Sequence, residues 1–254
     1  MGKSSLVNRL LGVERVIVSD VAGTTRDAVD TPFTYMGRKY TIIDTAGMRR
    51  KRAIEDESVE DYSVMRTISA ISRADVVLVV FDSSEELTEQ DVCIAGYVNE
   101  QGKPNIIVMN KWDKVEKDSF TIEKHNDELK KDLAFMDYYK TAYVSAVTGQ
   151  RTVKLLPMVD EVFINASQRI STGVLNDVIA EAVAMNEPPT HSGRRLKVLY
   201  ATQPETNPPH FVIFVNDDKL LHFSYRRYLE NSLRKAFDFS GTPIKLTFNS
   251  RKEE

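Results

Sequence analysis

One cysteine, Cys93, stands alone in a chain of 254 residues. That count excludes an intramolecular disulfide and a cysteine-built metal cluster, and a lone cysteine reads as a small core residue of a protein kept in a reducing compartment. Long apolar runs are lacking as well, since nothing approaches the roughly 20 apolar residues that a bilayer-spanning helix requires. The opening Met1-Gly2-Lys3-Ser4-Ser5-Leu6 has no apolar stretch of the signal-peptide kind, and Leu6 replaces the Ser or Thr of a myristoylation pattern. A cytoplasmic protein without a membrane partner is the expectation. Histidine is scarce, and His125, His191, His210 and His222 are too scattered to suggest a metal site or a catalytic triad.

No large excess of either charge is present: the net charge is −3. From Ala166 onward there are twelve Lys and Arg against ten Asp and Glu, net +2, which leaves −5 on the first 165 residues. So small a positive excess is compatible with nucleic-acid contact without requiring it. Hydrophobic residues at 42% and charged residues at 28% fit an ordinary globular chain, and the length favours two domains over one.

What is there alternates. Lys3 to Leu11 has helical spacing, Gly12 to Asp30 reads as loop, and Thr31 to Met36 and Lys39 to Asp44 read as strands joined by a hairpin turn at Gly37-Arg38. Helical spacing returns over Ser58 to Ser72. The β-branched run Val76 to Phe81 then predicts a strand buried on both faces, as in parallel sheets. Helices near 89–99, 122–133 and 153–167 alternate with strands at 105–109 and 142–145, so residues 1–167 are expected to form an α/β domain. Residues 168–254 change rhythm, with helices at 171–185 and 224–237 and strands at 196–202, 210–216 and 244–248, a compact α+β unit. Asn186 to Pro189 and Pro204 to Pro209 read as loops within it.

Chemistry gathers at the loop ends of the first domain. Gly2-Lys3-Ser4-Ser5 is the closing half of a phosphate loop, where the lysine reaches the β- and γ-phosphates and the first hydroxyl meets Mg²⁺. Gly23-Thr24-Thr25-Arg26-Asp27 offers two hydroxyls to Mg²⁺ and a terminal phosphate. Asp44-Thr45-Ala46-Gly47 follows a strand, so that Asp44 holds Mg²⁺ through water and the Gly47 amide approaches a γ-phosphate unhindered by a Cβ. Asn110-Lys111-Trp112-Asp113 again follows a strand, and the Asp113 carboxylate accepts from the N1–H and 2-amine of guanine, groups that adenine lacks. Ser145-Ala146 ends the next strand and offers a backbone amide to the guanine carbonyl.

With GKSSLVNRLLG, AGTTRDAVD, DTAGMRRK, NKWDK and VSA in this order, the chain resembles the Der (EngA) family of bacterial tandem GTPases over essentially its whole length. The resemblance is to the second GTPase domain and the C-terminal KH-like domain. It implies a P-loop GTPase fold of three layers with a mostly parallel sheet, followed by a small α+β KH-like domain. It implies hydrolysis of GTP to GDP with Mg²⁺, and a role in biogenesis of the large (50S) ribosomal subunit with rRNA as partner. Carried over by residue, Lys3 and Ser4 serve phosphates and Mg²⁺, Thr25 is the Mg²⁺-sensing switch, Asp44 and Gly47 form the second switch, and Asn110, Lys111 and Asp113 hold guanine. Thr25 and Gly47 are the expected catalytic groups. Met48 stands where many small GTPases carry a water-positioning glutamine, and relatives with an apolar residue there use K⁺, so slow, potassium-stimulated hydrolysis is implied.

The family pattern has about ten further residues before Met1, comprising the first strand and the opening of the phosphate loop, and a preceding GTPase domain that would be an intramolecular partner. A chain lacking them is expected to bind nucleotide poorly. The alternative is a nucleotide-incompetent module that only contacts rRNA. The second domain lacks the G-x-x-G clamp of RNA-binding KH domains, so an Era-type protein fits less well, and the C-terminal reactive cysteine of tRNA-modifying relatives is absent. Arg194, Arg195, Arg226, Arg227, Arg234 and Lys235, with Tyr225 and Tyr228 nearby, are the candidates for rRNA contact.

Overall fold

The computed structural model describes residues 2–12, 16–18, 30–43, 58–191 and 193–250. The chain divides into two units, Met1–Asp160 and Glu161–Glu254, and the division falls within a helix, ahead of the boundary at 167/168 expected from the sequence.

In the first unit, α1 (Lys3–Leu11) starts from Gly2 and buries Leu6 and Leu10, four residues apart on one face. Strands β1 (Val16–Val18), β2 (Thr31–Tyr35) and β3 (Arg38–Ile42) form an antiparallel sheet in that order. Its first strand lies in the segment expected to be loop. The hairpin turn is Met36-Gly37, one residue earlier than expected, because Tyr35 pairs with Arg38. Both turn residues are left-handed, with φ of 50° and 81°, as a two-residue turn matching the twist of its strands requires.

After α2 (Ser58–Arg73), β4 (Val77–Asp82), α3 (Glu89–Glu100), β5 (Asn105–Asn110), α4 (Thr121–Asp132), β6 (Lys140–Tyr143) and α5 (Leu155–Ser167) alternate as expected. Strands β4, β5 and β6 form a parallel sheet with β5 central, and all six residues of β5 are buried. This is the parallel sheet that the apolar runs predicted. Among the described residues β1–β3 form a separate sheet. Phe81, Ile107, Met109, Trp112, Leu133 and Met136 make the centre of the core, whereas Cys93, expected to be a core residue, is exposed on α3. Each of those core side chains contributes about 1.5–3 kcal/mol of burial.

Helix ends are fixed by side chains, near and distant in sequence. Thr88 and Asp91 form a reciprocal capping box at the start of α3, the Asp91 amide donating to Thr88 Oγ1 at 3.2 Å and the Thr88 amide to Asp91 Oδ2 at 3.1 Å. At the end of α2, Lys103 Nζ donates to the carbonyls of Ser72 and Ala74 at 2.7 and 2.9 Å.

The second unit runs α6 (Thr172–Met185), a two-residue ladder of β7 (Thr190–His191) with β8 (Arg194–Arg195), then β9 (Val198–Glu205), β10 (His210–Val215), α7 (Phe223–Ala236) and β11 (Lys245–Ser250). The main sheet has order β11-β10-β9, antiparallel between β9 and β10 and parallel between β10 and β11. A parallel pair needs a crossover, and α7 supplies it. Leu175 and Ile179 of α6, Leu229 and Leu233 of α7, and Ala201, Phe211, Ile213 and Leu246 of the sheet share one core. Strand β9 continues through Pro204, which the sequence reading assigned to loop; β9 is an edge strand, where a missing N–H breaks no ladder. Among the described residues no helix is long and apolar enough to cross a membrane.

Replacing Thr88 with alanine removes half of the capping box. Chemical denaturation should show T88A to be less stable by about 1 kcal/mol, with the loss confined to the unit holding α3.

Candidate nucleotide-binding site

The end predicted to meet phosphate is the first turn of α1. Gly2 adopts φ 76° and ψ 27°, and the first helical hydrogen bond runs from the Leu6 amide to the Gly2 carbonyl at 3.0 Å. The amides of Lys3, Ser4 and Ser5 therefore precede the helical ladder and point out of the helix start, where its dipole favours an anion. No side chain caps this end. Lys3 and Ser5 are exposed and Ser4 is half-buried. Thr24, Thr25, Asp44, Gly47 and Met48 lie outside the described residues.

The base end forms where β5 and β6 finish. Asn110 ends β5 almost wholly buried, and its Oδ1 accepts the Ala146 amide at 3.0 Å. A Cβ added to Gly2 would come within 2.8 Å of Asn110 Nδ2, so Asn110 also packs against the phosphate loop. One side chain thus joins three of the predicted elements. A ring carbonyl on guanine reaches the Ala146 amide only by sharing it with Asn110.

Lys111 is left-handed, with φ 61°, and leads into the short helical turn Trp112–Lys114. The Trp112 amide donates to the Val144 carbonyl at 3.0 Å, tying this turn to the end of β6, and its indole is buried. Asp113 therefore projects beside Ser145. The buried Ser145 hydroxyl donates to Asp113 and holds its carboxyl below the usual carboxylate range. The same hydroxyl oxygen accepts the Thr148 amide at 3.1 Å. An ionised, acceptor-only carboxylate is what a pair of donors on a base edge requires.

Asp82, at the carboxyl end of β4, was not singled out in the sequence. It forms an ion pair with Lys111 and accepts the Ser84 hydroxyl at 2.7 Å. Its place at a strand end beside the other motifs was the available signal. Burial opposes its ionisation, but hydrogen bonds from Lys111 and Ser84 outweigh that and hold its pKa at about 2. The ion pair turns the Lys111 ammonium toward Asp82, leaving its methylene stem free to lie along an apolar surface.

Because Asp82 titrates lower in the folded than in the unfolded chain, its contribution is full above about pH 4 and vanishes as the pH falls toward 2. Stabilisation of the ionised Asp82 by Lys111 and Ser84 together is worth on the order of 1–2 kcal/mol by this linkage, allowing for solvent screening. Urea unfolding of D82N should show that deficit at pH 7, with the gap to the parent closing on acidification. A gap independent of pH would assign the effect to packing instead.

In the second unit the basic candidates divide. Arg234 is mostly buried, pairs with Glu230 at 3.1 Å and donates to the Thr242 carbonyl at 3.0 Å, so it braces its own domain instead of facing a ligand. Arg226 donates to the Leu246 carbonyl at 2.9 Å. Arg194 pairs with Asp217 at 3.7 Å, and Arg195 pairs with Glu187. Arg227 and Lys235 are exposed. Tyr225 and Tyr228 donate their hydroxyls to the Asn186 and Ala182 carbonyls at 3.0 and 2.7 Å, which spends their polar ends on packing. Between β10 and α7 the chain has Asp217 and Asp218.

Alanine at Arg234 removes the donor to the carbonyls of the loop between α7 and β11 and leaves Glu230 without this partner. Thermal unfolding should place R234A well below the parent, on the order of 2 kcal/mol, whereas R227A should unfold with the parent.

The family described as KH-domain-like of EngA bacterial GTPase enzymes, C-terminal, matches residues 169–249, and that described as 50S ribosome-binding GTPase matches residues 1–111. GTPase Der of Agathobacter rectalis is 53% identical over the whole chain, which spans 57% of that relative's length. GTPase Der of Symbiobacterium thermophilum is 56% identical, with 100% of this chain and 54% of that protein covered. GTPase Der of Geobacillus thermodenitrificans is 57% identical over 99% of this chain and 58% of its own length. The chain therefore spans a little over half the length of the curated relatives it matches. Among solved structures, Era of Aquifex aeolicus bound to GDP.AlF4- gives a TM-score of 0.48 at 20% identity, covering 97% of this chain and 88% of that one. On the identity of its full length to these relatives, the chain belongs to the GTPase Der family.

Proposed function

We propose that the first unit binds GTP and GDP with selectivity for guanine and hydrolyses GTP in the presence of Mg²⁺. The observation that carries this reading is Asn110, which joins the phosphate-loop Gly2 to the Ala146 amide while the following turn presents an ionised Asp113. Phosphate and base ends of a nucleotide site are thereby held to one another. In this reading Lys3 and the first-turn amides take the phosphates, Asp113 takes the N1–H and 2-amine of guanine, and Ala146 shares its amide with the guanine carbonyl.

The donor set suits magnesium. Ser4 offers a hard hydroxyl oxygen in the same turn as the phosphate-binding amides, and Thr25 and Asp44 complete it as oxygen donors. Bound there, the ion would neutralise charge building on the phosphate oxygens. Thr25 and the Gly47 amide are the groups proposed to respond to the terminal phosphate. Potassium stimulation is part of the proposal and rests on Met48.

We further propose work in large-subunit ribosome assembly in the bacterial cytoplasm, with residues 1–167 as the GTPase part and 168–254 as the part that meets rRNA. The description of the matched family as ribosome-binding supports this direction. Arg227 and Lys235, with Arg194 and Arg195 exchanging carboxylates for phosphates, are the proposed contacts. Exposed ion pairs of that kind are worth about 0–1 kcal/mol and yield readily to a phosphate.

Titration with fluorescent GDP, GTP and ADP in Mg²⁺, in potassium and in sodium buffers, tests the reading. Guanine nucleotides should bind and ADP should not, and potassium should speed GTP turnover. D113N should lose at least about a hundredfold in GDP affinity, because its amide nitrogen turns a donor toward guanine donors. The same substitution should improve xanthosine diphosphate binding, since xanthine offers a carbonyl in place of the 2-amine. Absence of guanine-nucleotide binding in both buffers would sink the enzyme reading and leave the RNA-binding module.

A further inference from the structure

Arg9 lies two turns along α1 from the phosphate end, yet its guanidinium reaches the loop that follows β6. Its Nε donates to the Ala146 carbonyl at 3.0 Å, and its second nitrogen donates to the Val147 carbonyl. Gly149, at φ +80°, lies against the same group: a Cβ there would stand 3.7 Å from the guanidinium carbon. The contacts join residues 137 and 138 positions apart in sequence. A forked, planar donor suits two successive carbonyls in a way that a lysine cannot.

The loop is otherwise closed upon itself. The Gly149 amide donates to the Ser145 carbonyl at 2.9 Å, the Ser145 amide to Gln150 at 3.1 Å, and Thr148 to the Ser145 hydroxyl. Those bonds fix the loop's shape but not its distance from α1. The Ala146 residue faces two ways: its N–H goes to Asn110 and its carbonyl to Arg9. Arg9 therefore grips the base-reading residue from the side opposite Asn110. Six residues of helix from Lys3 to Arg9 rise about 9 Å, so α1 acts as a spacer between the phosphate-binding turn and the base-reading loop.

We infer that Arg9 is a positioning residue that sets guanine selectivity from the phosphate-binding helix, by holding the Ser145–Gly149 loop at a fixed distance from the first turn of α1. The inference rests on the proposed guanine site. Arg9 itself touches neither base nor phosphate; it acts through Ala146 and, by way of the Ser145 hydroxyl, through Asp113.

The experiment has two arms on the full chain. In the first, amide hydrogen exchange is followed without nucleotide in the parent, R9A and R9K. Amides at 145–149 should exchange about tenfold faster in R9A, with partial recovery in R9K and no change in β5, since a lost charged hydrogen bond is worth about that factor. Unchanged exchange at 145–149, or faster exchange throughout the unit, overturns the clamp. Should R9A not fold, R9K is judged by the same loop-against-strand comparison, with a smaller rise expected.

In the second arm, affinities for GDP, inosine diphosphate and inorganic pyrophosphate are compared. Inosine lacks the 2-amine that Asp113 reads, so the GDP-to-inosine ratio reports base selectivity. R9A should narrow that ratio by about tenfold while leaving pyrophosphate affinity unchanged. Equal weakening of all three would make Arg9 a general stabiliser and refute the selectivity claim. If the parent itself binds no guanine nucleotide, the site reading and the selectivity claim fall together, while the exchange arm alone still decides whether the clamp exists.

Discussion

Asn110 is where the first unit's architecture becomes a site. It ends a strand whose six residues are all buried, so its side chain has no water to fall back on and must bond within the protein. It does so with the Ala146 amide, and its Nδ2 comes so close to Gly2 that a methyl group there would not fit. An unsatisfied buried amide costs about 1–3 kcal/mol, which favours closure of the loop after β6 onto it. The loop proposed to read the base is therefore held by a buried polar group that the core does not tolerate unpaired, and the turn proposed to bind phosphate packs against the same group.

Charge around that point is arranged so that each ionised group has a defined role. Lys111 occupies a left-handed backbone conformation that disfavours any residue with a Cβ, by roughly 1–2 kcal/mol. The Asp82 ion pair opposes that cost on the same residue. The left-handed step also turns the chain sharply enough to bury Trp112 and bring Asp113 beside Ser145. Asp82 is thus neutralised by its partner, whereas Asp113 keeps its charge and receives a neutral hydroxyl. Of two carboxylates close in the site, only one is left able to bind a pair of external donors.

How legible all this was in the sequence depended on range. The apolar runs of β4 and β5 declared strands buried on both faces, and Gly2, Lys3, Asn110, Asp113 and Ser145, singled out by residue type, lie at or just beyond strand or helix ends in the fold. Errors came where local signals competed. Lys140 and Thr141 look like loop because β6 lies at the edge of its sheet, so the strand was expected at 142–145 and stands at 140–143. Val16–Val18 is too short to show a period. Met36 hid the hairpin turn because methionine rarely accepts positive φ; strand register, not propensity, forces it there. The Arg9 and Asp82 contacts join distant positions, 137 residues apart for Arg9 and Ala146, and no local pattern encodes them.

The second unit shows that a count of basic residues says little about which charges can meet a polyanion. Six Lys and Arg stood out, but the fold withdraws Arg234 to satisfy carbonyls and holds Arg226 against the β11 backbone. Arg194 and Arg195 face carboxylates across exposed pairs, where Coulomb gain is small and exchange for a phosphate is nearly neutral. Each phosphate neutralised releases condensed counterions, so even two to four such contacts give binding that weakens steeply with salt. Of the six that stood out, Arg227 and Lys235 on α7 are the exposed cations, and Arg194 and Arg195 on the β7–β8 ladder are held only by surface pairs.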